Sequence, residues 1–300
     1  MWFKNMTLLR LVESFPLTAE ALTARLEQYA FQPCSSHQPS ATGWTPPLGR
    51  KAVDLTHGVS GRLLVCLRTE EKVLPAVVVN QSLVERVAVI EDQRGRMVRQ
   101  REKRELRDQI MQDLLPRALT RNRLGYAYLD PVAGWLVVDS ASARGVDEIV
   151  GMLRKTLGTL PIAPLRVAWS PTAIMTDWLA EGGAPAEFAL GDACELRESG
   201  DGGGIVRCRG QDLTSDELRG PLRAGKQVTR LGLSWDGRIA FVLDETLVVR
   251  RLQFLEVVRE SLRETTADSP EAVFDAEFAL MTGELALLLP RLLELFGGEA

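Results

Sequence analysis

The spacing of apolar residues along the chain predicts short strands interspersed with amphipathic helices. A strand over 2–11 precedes a helix that begins after Thr18, a residue type that often caps helix N-termini. The apolar residues of this helix recur at helical spacing, at Ala21, Leu22, Leu26 and Tyr29. Residues 33–50 are rich in turn formers and predict a loop, and residues 61–75 predict a strand that enters a turn.

The middle of the chain changes from a long helical pattern to a pair of strands. Residues 75–115 show helical spacing with a break near Gly95. Strands are predicted over 124–130 and 134–140, joined by a tight turn. A helix over 142–158 then ends at Gly158, because glycine readily adopts the conformation that closes many helices.

The C-terminal half alternates further strands and helices. A strand is predicted over 164–169 and a helix over 170–182, with Ser170 as its N-cap. Further strands are predicted near 187–197, 204–209, 227–235, 238–243 and 246–252, and further helices near 215–224, 253–264 and 270–295. There are more strands than a parallel sheet with a helix between successive strands would have, and several strands are joined by tight turns. The pattern therefore predicts an α+β fold with antiparallel or mixed sheets.

The composition is that of a globular protein. The 300 residues are 45% hydrophobic and 25% charged. The sequence contains no run of about 18 apolar residues, so no membrane-spanning helix is predicted. The N-terminus lacks the apolar region and cleavage site of a signal peptide, which predicts a cytoplasmic protein. No CxxC pair occurs, so reduced and mostly buried thiols are expected at Cys34, Cys66, Cys194 and Cys208.

The net charge of -4 hides a strong asymmetry. Residues 94–123 contain ten basic and four acidic side chains, whereas residues 256–300 contain three basic and ten acidic ones. Helical spacing within the basic segment predicts one charged stripe, formed by Arg96, Arg99, Lys103 and Arg107. The stripe continues into Ile110, Met111 and Leu114. This change from charged to apolar predicts a projecting helix whose far end is solvated and whose near end is docked.

Two interpretations of the basic segment are open: a surface that binds a polyanion, and a solvated helix held by ion pairs between successive turns. Glu102, Glu105 and Asp108 support the second interpretation but are predicted to leave most of the cations without a partner. Arginine predominates and suits phosphate geometry, and no aromatic residue is interleaved for stacking on single strands. The segment therefore favours contact with a duplex backbone without sequence readout.

Other candidate sites are weaker. The stretch "GPLRAGKQ" (220–227) has the spacing of a P-loop, but Gln227 replaces the magnesium-binding Ser or Thr and a strand follows. The stretch "SGDGGG" (199–204) predicts a hairpin loop. A zinc site would need an unsuitable spacing of Cys34, His37, His57 and Cys66. A nuclease metal could bind to scattered acids, without an accompanying carboxylate–lysine cluster, at Asp130, Asp139 and Glu148. The residues thus predict no cofactor or metal.

Eight short motifs, in order and at matching spacing, resemble those of one known family. They are "WFKN" (2–5), "GWTPPLG" (43–49), "LTH" (55–57), "EEKVLP" (70–75), "LLPRA" (114–118), "LRKTLGTLP" (153–161), "QDLTS" (211–215) and "FDAEFALMTGELA" (274–286). Over essentially its whole length, the chain resembles the RdgC family, the recombination-associated proteins of Gram-negative bacteria.

The resemblance implies a non-enzymatic DNA-binding protein without cofactors. It implies an elongated subunit with a central region (1–72 and 124–170), a projecting helical tip (73–123) and a base (171–300). Two subunits would join at both ends into a ring-shaped homodimer whose positively charged hole takes duplex DNA without sequence preference. The family also implies opposition to the recombinase RecA and a cytoplasmic, nucleoid-associated location.

The resemblance also implies positions for the DNA and dimer contacts. Four basic positions match the family pattern: Lys72, Arg117, Lys155 and Lys226. The other predicted DNA contacts lie in the tip: Arg94, Arg96, Arg99, Arg101, Lys103, Arg104, Arg107, Arg121 and Arg123. Dimer contacts are expected at Leu119, where the family often has Phe, and at Gln211, which follows Gly210 where the family often has Lys. The alternative functions are a metal-dependent DNA nuclease and a protein–protein adaptor with a basic docking patch.

Overall fold

Two antiparallel sheets and a set of helices form the protein, as a computed structural model shows. The structure describes residues 1–49, 52–185, 187–198, 200, 203–215, 218–263 and 269–300. Its helices are α1 (Ala19–Leu26), α2 (Ala76–Arg94), α3 (Gln100–Leu114), α4 (Ala143–Leu157), α5 (Pro171–Glu181), α6 (Arg219–Arg223), α7 (Glu256–Arg263) and α8 (Pro270–Glu294). The predicted α+β class with antiparallel sheets is confirmed.

The first sheet is built from the N-terminal half of the chain. Its strands are β1 (Thr7–Leu11), β2 (Ser40–Thr45), β3 (Thr56–Val59), β4 (Arg62–Val73), β5 (Leu119–Asp130), β6 (Trp135–Val138) and β7 (Ile162–Pro164). The strand order is β2-β4-β5-β6-β1-β7, and β3 also pairs with β4. The long ladder between β4 and β5 runs from Leu63 opposite Leu129 to Val73 opposite Leu119, and thus reaches the end of both strands.

The second sheet follows in the chain. Its strands are β8 (Phe188–Arg197), β9 (Ile205–Arg209), β10 (Gln227–Trp235), β11 (Ile239–Asp244) and β12 (Val249–Phe254), in the order β12-β11-β10-β8-β9. An isolated bridge between Met6 and Val249 links the N-terminal segment to β12.

Two hydrophobic cores lie on opposite faces of the first sheet. Side chains alternate between them along each strand, so that Leu8 joins one core and Leu9 the other. One core contains residues of α1 and α4, and the other joins the first sheet to α8 and the second sheet. The first sheet is therefore the central layer, and the second sheet keeps one face toward solvent.

Helices α2 and α3 form a hairpin inserted between β4 and β5. The two helices pack mainly against each other. The buried residues of the hairpin belong to neither core: Val79, Val87, Val98, Ile110 and Leu115. At 1.5 Å per residue, α2 alone is roughly 28 Å long. The hairpin is thus a separate projection with its own apolar seam, which agrees with the predicted projecting helix.

Most predicted elements are confirmed, including the N-caps Thr18 and Ser170 and the helix break at Gly95. The loop predicted over 33–50 is wrong in part, because residues 40–45 form β2 by pairing with β4. The strand predicted over 164–169 is also wrong. There β7 ends at Pro164, and only Val167 pairs further on, in an isolated bridge to Glu299, because no neighbouring strand continues the ladder. Helix α6 is shorter than predicted, and residues 216, 217 and 264 of predicted helices lie outside the described residues.

No helix in the described part of the chain is long and apolar enough to cross a bilayer. The division into central, tip and base regions, with its boundaries, stays a prediction.

Candidate nucleic-acid interface

The basic segment begins at the turn of the α2–α3 hairpin. Gly95 ends α2 with a φ of 59°, a left-handed conformation that favours glycine, and its N–H donates to the carbonyl of Glu91. The carboxylate of Glu91 accepts the Val98 N–H at 2.8 Å, and that of Glu102 accepts the Arg99 N–H at 2.9 Å. These contacts fix the start of α3, with Arg99 as its N-cap.

Arg96 therefore does not belong to the predicted helical stripe. It precedes α3 in the turn, where its guanidinium lies 2.7 Å from a carboxylate oxygen of Glu102. The hydrogen bond from Arg96, followed by that from the Arg99 N–H, lowers the pKa of Glu102 to about 2. Glu102 also accepts from Arg94 at 3.5 Å. The stripe is reduced to Arg99 at the cap and Lys103 and Arg107 on the helix.

The expectation that most cations of the segment lack a partner is wrong. Arg101 pairs with Glu105 at 3.0 Å, one turn further along α3. The remaining partners come from outside the segment, because β4 and α4 bring acids against β5: Arg121 pairs with Glu71 and Arg123 with Glu148. Across the hairpin, Arg107 donates to Asn80 of α2 at 3.2 Å. The helical pattern could indicate only acidic partners close in sequence, such as Glu105, and not those brought near by strand pairing.

Four cations of the segment have neither an ion pair nor a side-chain hydrogen bond among the described residues: Arg99, Lys103, Arg104 and Arg117. Arg99, Arg104 and Arg117 are exposed, and Lys103 is half-buried. Arg99, Lys103 and Arg104 lie at the N-terminal end of α3, which is the end of the hairpin farthest from the sheet. The uncompensated positive charge of the hairpin is therefore concentrated near its tip.

The other three family-matched cations are engaged within the protomer. The Lys72 ammonium donates to the carbonyls of Leu115, at 3.0 Å, and Ser36. Lys155 lies 4.8 Å from the centre of the Tyr29 ring, within cation–π range. Lys226 pairs with Glu198 at 3.2 Å. These contacts leave the three lysines less free for a polyanion than the four unpartnered cations.

The two predicted dimer residues are both exposed. Leu119 is 82% exposed and begins β5, directly opposite Val73, which is 44% exposed. Together they place apolar surface where the hairpin leaves the sheet. Gln211 is exposed after β9, and its N–H donates to the Asp192 carbonyl at 3.3 Å. Both dimer contacts stay predictions.

The residues weighed for other chemistry have structural partners. Asp130 pairs with Arg62 at 2.8 Å, Asp139 accepts the N–H groups of Lys4 and Asn5, and Glu148 binds Arg123 and Arg144. The P-loop-like stretch runs from α6 into β10, as predicted. The glycine-rich stretch joins the antiparallel strands β8 and β9, although residues 199, 201 and 202 lie outside the described residues. Within the described part of the chain, no three metal-ligating side chains form a group.

The sequence patterns missed one group of basic residues. The exposed face of the second sheet gathers arginines from β8, β9, β10 and β12 beside the carboxylate of Glu195. Two short signals were present: the alternation in "VRCRG" (206–210) and the paired arginines in "VVRRLQ" (248–253). Neither signal is informative without the strand pairing, which joins residues far apart in the chain.

This fold is that of an α+β protein with two antiparallel sheets and a basic helical projection. A profile of one protein family, described as "Putative exonuclease, RdgC", matches residues 1–299. The chain is 44% identical over 299 residues to the Recombination-associated protein RdgC of Aeromonas hydrophila, covering 100% of this chain and 99% of that one. Proteins of the same name from Psychromonas ingrahamii and Tolumonas auensis are 42% and 41% identical with the same coverage. The chain belongs to the RdgC family.

Proposed function

We propose that the protein binds duplex DNA without sequence preference, as a ring-shaped homodimer that encircles the DNA and opposes the recombinase RecA. The observation that supports this function best is the cluster of unpartnered cations at the tip of the hairpin, in a chain whose net charge is -4. Projecting cations meet a polyanion before the acidic body approaches it, and long-range attraction between opposite charges speeds such encounters.

The chemistry of the cluster favours phosphates over bases. Arg99 and Arg104 present planar guanidinium groups, which match phosphate oxygens in a bidentate geometry. Phosphate contacts position a protein on DNA but carry no sequence information. The exposed large apolar residues of the hairpin are aliphatic rather than aromatic, so stacking on single-stranded bases has little support there.

The proposed dimer rests on the apolar surface at the base of the hairpin. An 82% exposed leucine beside a half-exposed valine, in a segment otherwise rich in charge, suits contact with a second copy of the same surface. A second contact near Gln211 would close the ring. A closed ring that covers duplex DNA would hinder a recombinase physically, without any chemical step.

The competing function is that of a metal-dependent nuclease, and the description of the matching family names an exonuclease. Against this alternative, the acids weighed for metal binding are held by arginines or backbone N–H groups. We therefore propose that this chain is not an enzyme.

The test uses two end-labelled duplexes of unrelated sequence. The account predicts equal affinities for both duplexes in the presence of a chelator, and intact DNA after prolonged incubation with magnesium or manganese. Loss of binding in chelator, or release of nucleotides that increases with protein and metal, would favour the nuclease. A preference for one sequence would contradict the phosphate-only contact.

A further inference from the structure

The outward face of the second sheet carries a dense group of arginines, here called the arginine face. Along β9 the side chains alternate, so that Arg207 and Arg209 are exposed while Val206 and Cys208 pack toward the core. Pairing between strands brings arginines from four strands to the same surface: Arg197, Arg207, Arg209, Arg230, Arg250 and Arg251. None of these residues was among the predicted DNA contacts.

Two buried carboxylates hold four of these arginines in place. Glu195 is 4% exposed and accepts from Arg207 at 2.8 Å and from Arg230 at 3.2 Å, and it also contacts Arg197. Asp244 accepts from Arg250 at 2.9 Å. Burial opposes the ionisation of Glu195, but the surrounding arginines lower its pKa below the ordinary value. The two anions therefore orient the guanidinium groups without neutralising the face.

A β-bulge adds the last arginine to this surface. Ala240 pairs with Gln253 and Val242 with Arg250, so β12 has one residue more than β11 in this interval. The backbone at Arg251 adopts a φ of 52°, which side-chain-bearing residues rarely do. Strict alternation would have turned Arg251 toward the core, whereas the bulge leaves it exposed beside Arg250. Strained backbone of this kind is often found at binding sites.

We propose that the arginine face is a second contact for the phosphates of duplex DNA, separate from the hairpin; this inference rests on the function proposed above. Its arginines are spread from β9 to β12, the two edges of a five-stranded sheet. At the usual strand spacing this is about 19 Å. A duplex segment of that length carries roughly eleven phosphate charges. So wide an array suits a polyanion rather than a single phosphate group.

Arg209 and Arg251 are the residues to change, because neither holds a buried carboxylate. Among the described residues they have no ion pair or side-chain hydrogen bond, and both are exposed. The variant R209Q/R251Q should therefore keep the wild-type melting temperature. A matched control is R25Q/R166Q, which removes the same charge from exposed arginines on α1 and in the segment after β7. The variant R209K/R251K retains the charge at the arginine face.

The measurement is duplex affinity as a function of salt, for the full chain in the presence of a chelator. Each lost phosphate contact makes the slope of log affinity against log salt shallower by about 0.9. R209Q/R251Q should therefore lose about two units of slope if one protomer contacts the DNA and up to four if both do. The control and R209K/R251K should keep the wild-type slope.

Two different failures can be distinguished. If the wild-type protein binds duplex and R209Q/R251Q has the same slope, the arginine face is not a DNA contact and the proposed function still stands. If the wild-type protein does not bind duplex at all, the proposed function fails together with this inference. A slope that falls equally in R209Q/R251Q and in the control would reflect net charge alone and would also overturn the inference.

Discussion

His57 illustrates how a single residue couples β3 to α8. Its ring packs edge-on against Phe274, with the ring centres 5.2 Å apart, and its Nε2 lies 2.9 Å from a carboxylate oxygen of Asp275, outside good hydrogen-bond geometry. Burial is the main influence and lowers the pKa of His57, while the charge of Asp275 acts in the opposite direction. Folding therefore favours the neutral form of the imidazole.

The first prediction is that stability falls in mild acid because of His57. Above the ordinary pKa of 6.5, the residue is neutral in both states and contributes no pH dependence. Below that value the unfolded chain takes up a proton that the folded protein resists, so unfolding becomes more favourable as the pH falls. H57Q should show a smaller decrease in melting temperature between pH 7 and pH 5 than the wild type. Identical pH profiles would show that the pKa of His57 is the same in the folded and unfolded states, which would contradict this account.

At the scale of elements, the sequence predicted most of the helices and the most apolar strands, but it missed β2 and β3. The stretches "YAYLD" of β5 and "WLVV" of β6 are densely apolar, and both were found where expected. The start of β5 was missed by five residues, because Leu119–Arg123 are all exposed and show no apolar alternation. They form a strand only because β4 pairs with them, from Thr69 to Val73. Such pairing joins distant parts of the chain and leaves no local signal.

The candidate site was predicted less completely than the fold, for a similar reason. The basic segment was found, but its charge balance depends on Glu71 and Glu148, which reach Arg121 and Arg123 only in the folded sheet. The arginine face arises from strand pairing and a bulge, neither of which a helical or alternating pattern contains. Ion-pair partners and surface clusters thus require the tertiary structure.

The second prediction is that the hairpin is dispensable for folding. Replacing residues 74–118 by Asn-Gly would join Val73 to Leu119, which are already paired, through a two-residue turn that suits antiparallel strands. Because the hairpin belongs to neither core, the shortened protein should keep a melting temperature within a few degrees of the wild type. Its affinity for duplex DNA should fall.

A core substitution provides the contrast for this deletion. Phe278 of α8 is fully buried, and F278A should lower the free energy of unfolding by about 3–5 kcal/mol. Chemical denaturation monitored by circular dichroism measures both variants. If the hairpin deletion were as destabilising as F278A, the hairpin would be part of the folding unit rather than a projection.

At the scale of the whole molecule, a basic projection is attached to a body that is acidic overall. The chain carries 36 basic and 40 acidic side chains. Cations without an ion pair or side-chain hydrogen bond among the described residues occur on the hairpin and on the arginine face, while residues 256–300 are strongly acidic. This distribution favours one orientation of a duplex relative to the protein and disfavours contact with the acidic end.

The third prediction concerns assembly. L119D places a charge in the exposed apolar surface at the base of the hairpin, so the dimer contact proposed at Leu119 should open. The variant should remain a dimer through its other contact, and its DNA binding should weaken. Light scattering measures the mass of the assembly. The control is V132D, which makes the same kind of change at a residue that is 93% exposed in the β5–β6 turn. A purely monomeric L119D, or unaltered DNA binding, would contradict a ring with two contacts.

The most direct test of the account is the salt dependence of duplex binding in R99Q/R104Q, compared with the wild type and with R25Q/R166Q. Both changes in the hairpin remove exposed cations that lack partners among the described residues. Glutamine keeps the helix propensity. The account predicts a slope of log affinity against log salt that is shallower by about two to four units in R99Q/R104Q, equally on two unrelated sequences, with the control unchanged. A wild-type slope in a folded R99Q/R104Q protein would contradict the central claim that the tip of the hairpin binds the DNA backbone.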